Sequence, residues 1–161
     1  MSARVTPGAG ASNVATGLPV LDHLLTLLAR AGGFELALEL PPGDAEAEVA
    51  DAGRALGEAF APRLRAAGEP GHGSAFMPAD EALAQVALEV SDRPLVASNV
   101  DLTEARAGGL ASDLAARFLD ELARSAGLTL HVRLIDGDDS QHVLEAIFKA
   151  LGVALSQACA R

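Results

Sequence analysis

The sequence predicts an α+β protein made of duplicated half-domains, each a small β-sheet packed by a pair of helices. In residues 18–40, leucines at helical spacing are followed by a glycine stop and then by an alternating apolar strand, and residues 112–134 repeat this order. Two residue pairs match at a common offset of 94, Arg30 with Arg124 and Gly33 with Gly127. A shared offset of this kind indicates internal duplication.

A second helix is predicted after each strand. Short acidic turns lead into "GDAEAEVADAGRALGEAF" at residues 43–60 and into "GDDSQHVLEAIFKALGVAL" at residues 137–155. Each half is therefore expected to run helix, strand, turn, helix.

The segment between the repeats is predicted to combine a loop with strands. Residues 66–81 are rich in glycine and proline and read as a connection, whereas 82–90 and 94–100 are strand-like runs joined by the turn "SDRP". We expect a flexible segment at 1–15, a first half-repeat at 16–68 and a second at 69–161, all within one compact domain.

Composition excludes several classes of function. The chain has 161 residues, half of them hydrophobic, which suits one globular domain. A net charge of −10 with a single lysine argues against a nucleic-acid partner. The chain has no run of about 18 apolar residues, which a membrane span would need, and its first residues lack the apolar core of a signal peptide. With one cysteine, Cys159, the expected location is the cytoplasm.

The last helix carries a candidate site on its polar side. His142, Glu145 and Lys149 lie on one face, opposite an apolar face that contains Val143 and Ile147. A histidine and a glutamate three residues apart can share a divalent metal or a substrate proton. The same spacing also occurs in ordinary solvated helix contacts, and both interpretations stay open.

Several motifs occur together in a recognisable order. "TGLPVLDHLL", "ALGEAF", "PADEALAQVALEVSDRP", "AGLTLHVRL" and "HVLEAIFKA" resemble the imidazoleglycerol-phosphate dehydratase family of histidine biosynthesis, from about Thr16 to Leu155. The resemblance implies a large symmetric homo-oligomer with active sites between subunits. It also implies two manganese ions that hold the imidazole of a small phosphorylated substrate as an imidazolate while water is eliminated.

The resemblance implies eight metal ligands, and this chain keeps only part of the set. His23 stands in the L-D-H motif, and His142 and Glu145 stand in the last helix. The replaced positions, where the family carries histidine or glutamate, are Glu46, Ala47, Ala50, Arg117 and Gln141.

The replacements differ in chemistry. Ala47 and Ala50 have no donor atoms, and Gln141 offers only a neutral amide oxygen. Arg117 brings a permanent positive charge that repels a divalent ion. Glu46 alone could substitute for a lost ligand.

These residues predict a degenerate metal site. A single residual divalent site built from His23, His142, Glu145 and Glu46 of neighbouring subunits is conceivable, whereas a two-metal clamp is not. Alternatively, Arg117 pairs with Glu46 or Glu145 and turns the site into a structural ion pair.

Two further expectations concern Arg93 and the N-terminal strands of the family. Arg93 in "SDRP" matches a phosphate-binding arginine of the family, or it is a structural turn residue. The family opens with a strand pair before the T-G motif, which the first fifteen Gly/Ala/Ser-rich residues are not expected to supply. The first half is therefore predicted to be truncated at its N-terminus.

Two classes of function follow. The chain is either a diverged dehydratase, with His142 and Glu145 as its catalytic groups, or a non-catalytic family member. A non-catalytic member would assemble with copies of itself or with a complete paralogue, or would bind a metabolite of the pathway. A generic helix-and-sheet interaction module is disfavoured because the motif matches are too many and too ordered.

Overall fold

A computed structural model of the protein describes residues 2–8, 12–66, 68, 70–100, 106–107 and 110–159. The helices form the interior layers of the fold. The four helices in these ranges are α1 (Pro19–Gly32), α2 (Ala45–Leu64), α3 (Ser112–Ala126) and α4 (Ser140–Ala158). Helix α1 packs against α4, and α2 packs against α3, so each contact joins the two repeats. None of the helices in the described part of the chain is long and apolar enough to cross a membrane.

Two sheets cover the helices. The strands of the first sheet, in spatial order, are β1 (Ser2–Pro7), β3 (Phe34–Glu39) and β2 (Asn13–Ala15). Those of the second sheet are β4 (His72–Ala79), β5 (Ala82–Val90), β9 (Leu128–Asp136) and β6 (Leu95–Ser98). A short pair, β7 (Arg106–Ala107) and β8 (Leu110–Ala111), stands apart.

The duplication is visible in the topology. The central strands β3 and β9 each have one antiparallel and one parallel neighbour, β1 and β2 in the first sheet, β5 and β6 in the second. Gly33 and Gly127 both have positive φ angles, of 71° and 74°, which a glycine adopts without strain where a helix turns into a strand. Asp44 and Asp139 cap α2 and α4 through their side chains.

The expectation that residues 1–15 supply no strands is wrong. Strands β1 and β2 both lie there and pair with the two edges of β3. Phe34, Leu36 and Leu38 turn inwards from β3, so this buried strand needs backbone partners on both sides, and Val5 of β1 adds a buried side chain. The glycine and alanine content of residues 1–15 did not predict these strands, which form because they pair with β3. The first half lacks only a counterpart of β4 among the described residues.

The expectation that residues 66–81 form a connection is also wrong, because half of this segment is β4. Pro78 is tolerated there since β4 is an edge strand. Gly73 is required by packing, because a Cβ atom at this position would collide with the backbone oxygen of Ala154 in α4. Proline and glycine, which usually interrupt strands, are therefore accommodated in β4, because it is an edge strand that lies close to α4.

Candidate functional site

His23 and Glu145 meet where α1 packs against α4. The Nε2 atom of His23 lies 3.3 Å from Oε2 of Glu145, and the amide Nε2 of Gln141 donates to the same oxygen at 2.9 Å. The His23 side chain is about half exposed, at 51%, and that of Glu145 is 20% exposed. Two of the predicted ligands are thus neighbours, and Gln141 binds one of them.

The start of α1 is fixed by the T-G motif. The backbone N–H of Thr16 donates to Oδ1 of Asp22 at 2.9 Å, and its hydroxyl donates to the same atom at 2.5 Å. Thr16 is buried. These bonds hold the first turn of the helix and therefore the position of His23.

His142 is held by carboxylates that the sequence analysis did not select. Its Nδ1 atom makes a short hydrogen bond with Glu81, and Nε2 lies 3.3 Å from Oδ2 of Asp80, in the turn between β4 and β5. Glu81 also accepts hydrogen bonds from the backbone N–H groups of Asp138 and Asp139, each at 3.1 Å. Both ring nitrogens therefore already have partners.

The contact between His142 and Glu81 shifts the acidity of both groups. The hydrogen bond from His142, helped by the backbone bond from Asp139, lowers the pKa of Glu81 to about 2. The same hydrogen bond raises the pKa of His142 above its ordinary value, and the charges of Asp139 and Asp80 add to this effect. The surrounding carboxylates thus favour the protonated form of His142.

Glu46 lies with Arg117 and not with the histidines. Atom Nη1 of Arg117 is 3.7 Å from Oε1 of Glu46, and its Nε donates to Oε1 of Glu121 at 3.3 Å. These residues stand where α2 packs against α3. Arg117 thus lies within ion-pair distance of Glu46, whereas Glu145 contacts His23. A structural role for the Arg117 pair at an assembled interface stays a prediction.

The two groups of residues are related by the duplication. Arg117 follows His23 by the repeat offset of 94 residues, and Gln141 follows Glu46 by 95, because the second half has one more residue before its last helix. Arg117 and Glu46, at the contact between α2 and α3, therefore occupy the place that corresponds to His23, Gln141 and Glu145 at the contact between α1 and α4.

The donor set of one chain does not fit two manganese ions. No group of three or more histidine, cysteine, aspartate or glutamate residues in the described part of the chain is arranged to hold a metal ion. Ala47 is exposed and Ala50 half-buried, and neither offers a donor atom. The four predicted ligands fall into three separate groups: His23 with Glu145, His142 with Glu81, and Glu46 with Arg117. Assembly of the predicted residual site across subunits stays a prediction.

Arg93 lies in the turn between β5 and β6 and is exposed. Its backbone N–H donates to the Ser91 hydroxyl at 3.0 Å, and its carbonyl oxygen accepts from Thr129 at 3.3 Å. The backbone of the turn is thus anchored to β9 while the residue faces outwards. Phosphate binding by Arg93 stays a prediction.

Three acidic partners, Asp80, Glu81 and Glu121, were not predicted from the sequence. Asp80 and Glu81 stand in the quoted motif "PADE", but they were not connected with a helix that begins about 60 residues later. Asp80 has a φ of 50°, an unusual value for a residue other than glycine, which marks a tight turn. Glu121 is four residues after Arg117, a spacing that favours an ion pair within a helix.

Comparison with known proteins decides the family. A model of the imidazoleglycerol-phosphate dehydratase family matches residues 16–155. The chain belongs to the imidazoleglycerol-phosphate dehydratase family. A dehydratase of this name from Clostridium botulinum (strain Kyoto / Type A2) is 39% identical over 159 residues, which cover 96% of this chain and 81% of the relative. One from Methanocella arvoryzae is 40% identical over 159 residues, covering 96% and 82%.

Solved structures of the family share the fold. The Staphylococcus aureus dehydratase superposes with a TM-score of 0.86 at 31% identity and covers 97% of this chain and 91% of its own. The Pyrococcus furiosus dehydratase, solved in complex with (S)-C348, gives the same TM-score and identity and covers 99% and 89%. The predicted α+β class and family are therefore confirmed. Members of this family are metal-dependent, oligomeric lyases of histidine biosynthesis.

Proposed function

We propose that this chain is a cytoplasmic, imidazoleglycerol-phosphate dehydratase-like protein that does not dehydrate imidazole glycerol phosphate to imidazole acetol phosphate on its own. Its role is that of an assembly subunit, either with copies of itself or with a complete paralogue, or that of a protein that binds a histidine-pathway metabolite. The observation that carries this proposal is the 3.7 Å distance between Arg117 and Glu46.

The chemistry explains why this one contact matters. When bound, a pair of manganese ions supplies the positive charge that stabilises the imidazolate of the substrate. Arg117 keeps a positive charge at one of the two related places but has no lone pair with which to coordinate a metal. Ala47 and Ala50, on the same helix as Glu46, cannot replace the missing donors.

A dehydration assay tests the proposal. The purified chain, assayed with saturating Mn²⁺ and imidazole glycerol phosphate, should give no product, because the second ion has no ligands. A matched variant restores the five donors that the family resemblance implies: Glu46→His, Ala47→His, Ala50→Glu, Arg117→His and Gln141→His. It should gain bound manganese. Steady turnover by the unaltered chain alone would contradict the proposal.

A second candidate is a diverged dehydratase with one residual metal. The favourable observation is that His23 and Glu145 already lie 3.3 Å apart, so one imidazole and one carboxylate meet. The remaining donors, His142 and Glu46, would come from neighbouring subunits, with His142 and Glu145 as acid–base groups and Arg93 on the phosphate. One manganese per chain that is lost in His23→Ala would favour this candidate, and absence of binding would exclude it.

A further inference from the structure

The outward face of the second sheet contains a cleft of about 340 Å³. Its lining side chains come from two rows of paired residues that run across the sheet: His72, Glu89 and Thr129 in one row, and Ser74, Ala87 and His131 in the next. Leu88 and Leu130 lie between the two rows and are buried against the helices. Since side chains alternate along a strand, both rows point outwards. Polar side chains therefore surround the single methyl group of Ala87, which forms the floor of the cleft.

The histidines of this cleft differ from the other two histidines of the chain. His23 and His142 each contact carboxylates through their ring nitrogens. Among the described residues, by contrast, no hydrogen bond or ion pair engages the side chains of His72, His131 or Glu89. Two imidazoles and a carboxylate thus meet at one cleft while their polar atoms stay available to a ligand.

Hydrogen-bond acceptors outnumber donors in the cleft. The carboxylate of Glu89 only accepts hydrogen bonds, and a neutral imidazole offers one acceptor and one donor. The hydroxyl of Thr129 donates to the carbonyl oxygen of Arg93 at 3.3 Å, so only its lone pairs are left for a ligand. With histidine counted as neutral, Glu89 is the one charged residue among the described residues that line the cleft, and the whole chain has a net charge of −10. A cation with several N–H groups therefore matches the cleft, whereas an anion is repelled.

An aromatic ring stands beside the cleft. Phe76 follows Ser74 by two residues in β4 and is 58% exposed on the same face, so its ring offers apolar contact to the hydrocarbon part of a ligand. Arg133 is exposed in the same row of the sheet as Phe76 and repels a cation at that end. These charges direct a positive group towards Glu89 and the hydrocarbon part of the ligand towards Phe76.

We propose that this cleft binds a small primary amine in its protonated form. The ammonium group donates charge-assisted hydrogen bonds to the Glu89 carboxylate and to a ring nitrogen of His72, which pairs with Glu89 across β4 and β5. The hydrocarbon part of the amine lies over Ala87. The volume of the cleft is near the lower end of the roughly 300–1,000 Å³ that ligand pockets enclose, which suits a small molecule. The cleft shares no residue with the predicted metal ligands, so amine binding does not depend on the proposed function.

Equilibrium dialysis of the purified chain against radiolabelled phenethylamine tests the proposal. We expect saturable binding of one amine per chain, and the neutral analogue phenethyl alcohol, used as a competitor, should bind at least about tenfold more weakly. Glu89→Gln removes the charge but keeps the shape of the side chain, and it should raise the Kd of the amine by about tenfold. Glu58→Gln, at an exposed position on α2, is the matched control and should leave the Kd unchanged.

A steric variant tests the location of the amine. Ala87→Leu fills the floor of the cleft from a half-buried position and should abolish saturable binding, whereas Ala37→Leu, at a half-buried alanine of the first sheet, should not. Far-UV circular dichroism and sedimentation velocity verify that each variant keeps the fold and the oligomeric state of the unaltered chain.

Four results would overturn the proposal. The first is an unaltered chain without saturable amine binding, and the second is equal binding of the amine and the alcohol. The third is an unchanged Kd in Glu89→Gln. The fourth is a loss of affinity in Glu58→Gln as large as that in Glu89→Gln, because it would show general attraction to the negative chain in place of a site.

Discussion

Arg117 and His23 occupy equivalent positions in the two repeats, and each meets a glutamate on the helix that packs against its own. His23 lies 3.3 Å from Glu145 at the contact between α1 and α4, and Arg117 lies 3.7 Å from Glu46 at the contact between α2 and α3. One half of the duplication has kept an imidazole, and the other has a permanent cation. The internal symmetry of the fold is retained, although the side chains at the two places differ.

Substitution of Arg117 should affect assembly more than folding. Both partners of the pair are well exposed, at 45% for Arg117 and 74% for Glu46, so Arg117→Ala should change the free energy of unfolding by less than about 1 kcal/mol. If the family's subunit interface covers this place, loss of the cation leaves Glu46 and Glu121 as unpaired carboxylates and weakens the oligomer. Analytical ultracentrifugation of Arg117→Ala and Arg117→His measures the effect.

The matched control for this experiment is Arg124→Ala. Arg124 forms a comparable exposed pair with Asp120 in the same helix. It should leave assembly unchanged. Oligomers of both Arg117 variants as stable as the unaltered protein would show that the cation has no role at an interface.

Removal of the Glu81 carboxylate should destabilise the protein in a defined range of pH. Glu81 contributes stability above its ordinary pKa of 4.5 and loses it as the pH falls towards about 2. His142 contributes below its ordinary pKa of 6.5 and loses it as the pH rises through its raised value. The difference in unfolding free energy between the unaltered chain and Glu81→Gln should therefore be largest from about pH 4.5 to 6.5.

Urea denaturation at a series of pH values measures this difference. Glu58→Gln, at an exposed position on α2, is the control and should show no maximum in that range. A Glu81→Gln difference that does not decrease on either side of the range from about pH 4.5 to 6.5 would mean that the two side chains are not coupled.

Gly152 should not tolerate alanine. A Cβ atom at this position would collide with the backbone oxygen of Leu28, where α4 crosses α1. Alanine is favoured over glycine within a helix by up to about 1 kcal/mol. Because the steric conflict should outweigh this gain, Gly152→Ala should lower the free energy of unfolding by about 1 to 2 kcal/mol. Gly43→Ala is the control, because the nearest side-chain atoms are 3.9 Å away. A stabilised Gly152→Ala variant would contradict the close crossing.

Local patterns were sufficient for most of the fold. The strands that begin after a glycine stop, β3 and β9, were predicted because helical spacing, a positive-φ glycine and alternation are all encoded within some twenty residues. Strand β5, Ala82–Val90, was predicted with its observed bounds. Strands β1 and β4 were missed because their formation depends on a distant partner, the exposed edges of β3 and β5, and not on their own composition.

The contacts of the candidate site were likewise predicted only in part from the sequence. The contact of Arg117 with Glu46 was one of two pairings expected from the charges at the replaced positions, the other being with Glu145. The Glu81 partner of His142 could not be predicted, since the two are 61 residues apart and come together only through the turn between β4 and β5. Family resemblance predicted the positions of the ligands, and side-chain chemistry predicted which of them cannot bind a metal.

We propose that this chain, alone, does not hold the pair of manganese ions. The most direct measurement is the metal content of the purified homomeric protein after equilibration with Mn²⁺ and removal of the excess, counted per chain by elemental mass spectrometry and followed by an assay for dehydration. We expect fewer than one manganese ion per chain and no product. Two bound ions per chain, with steady turnover, would contradict the claim.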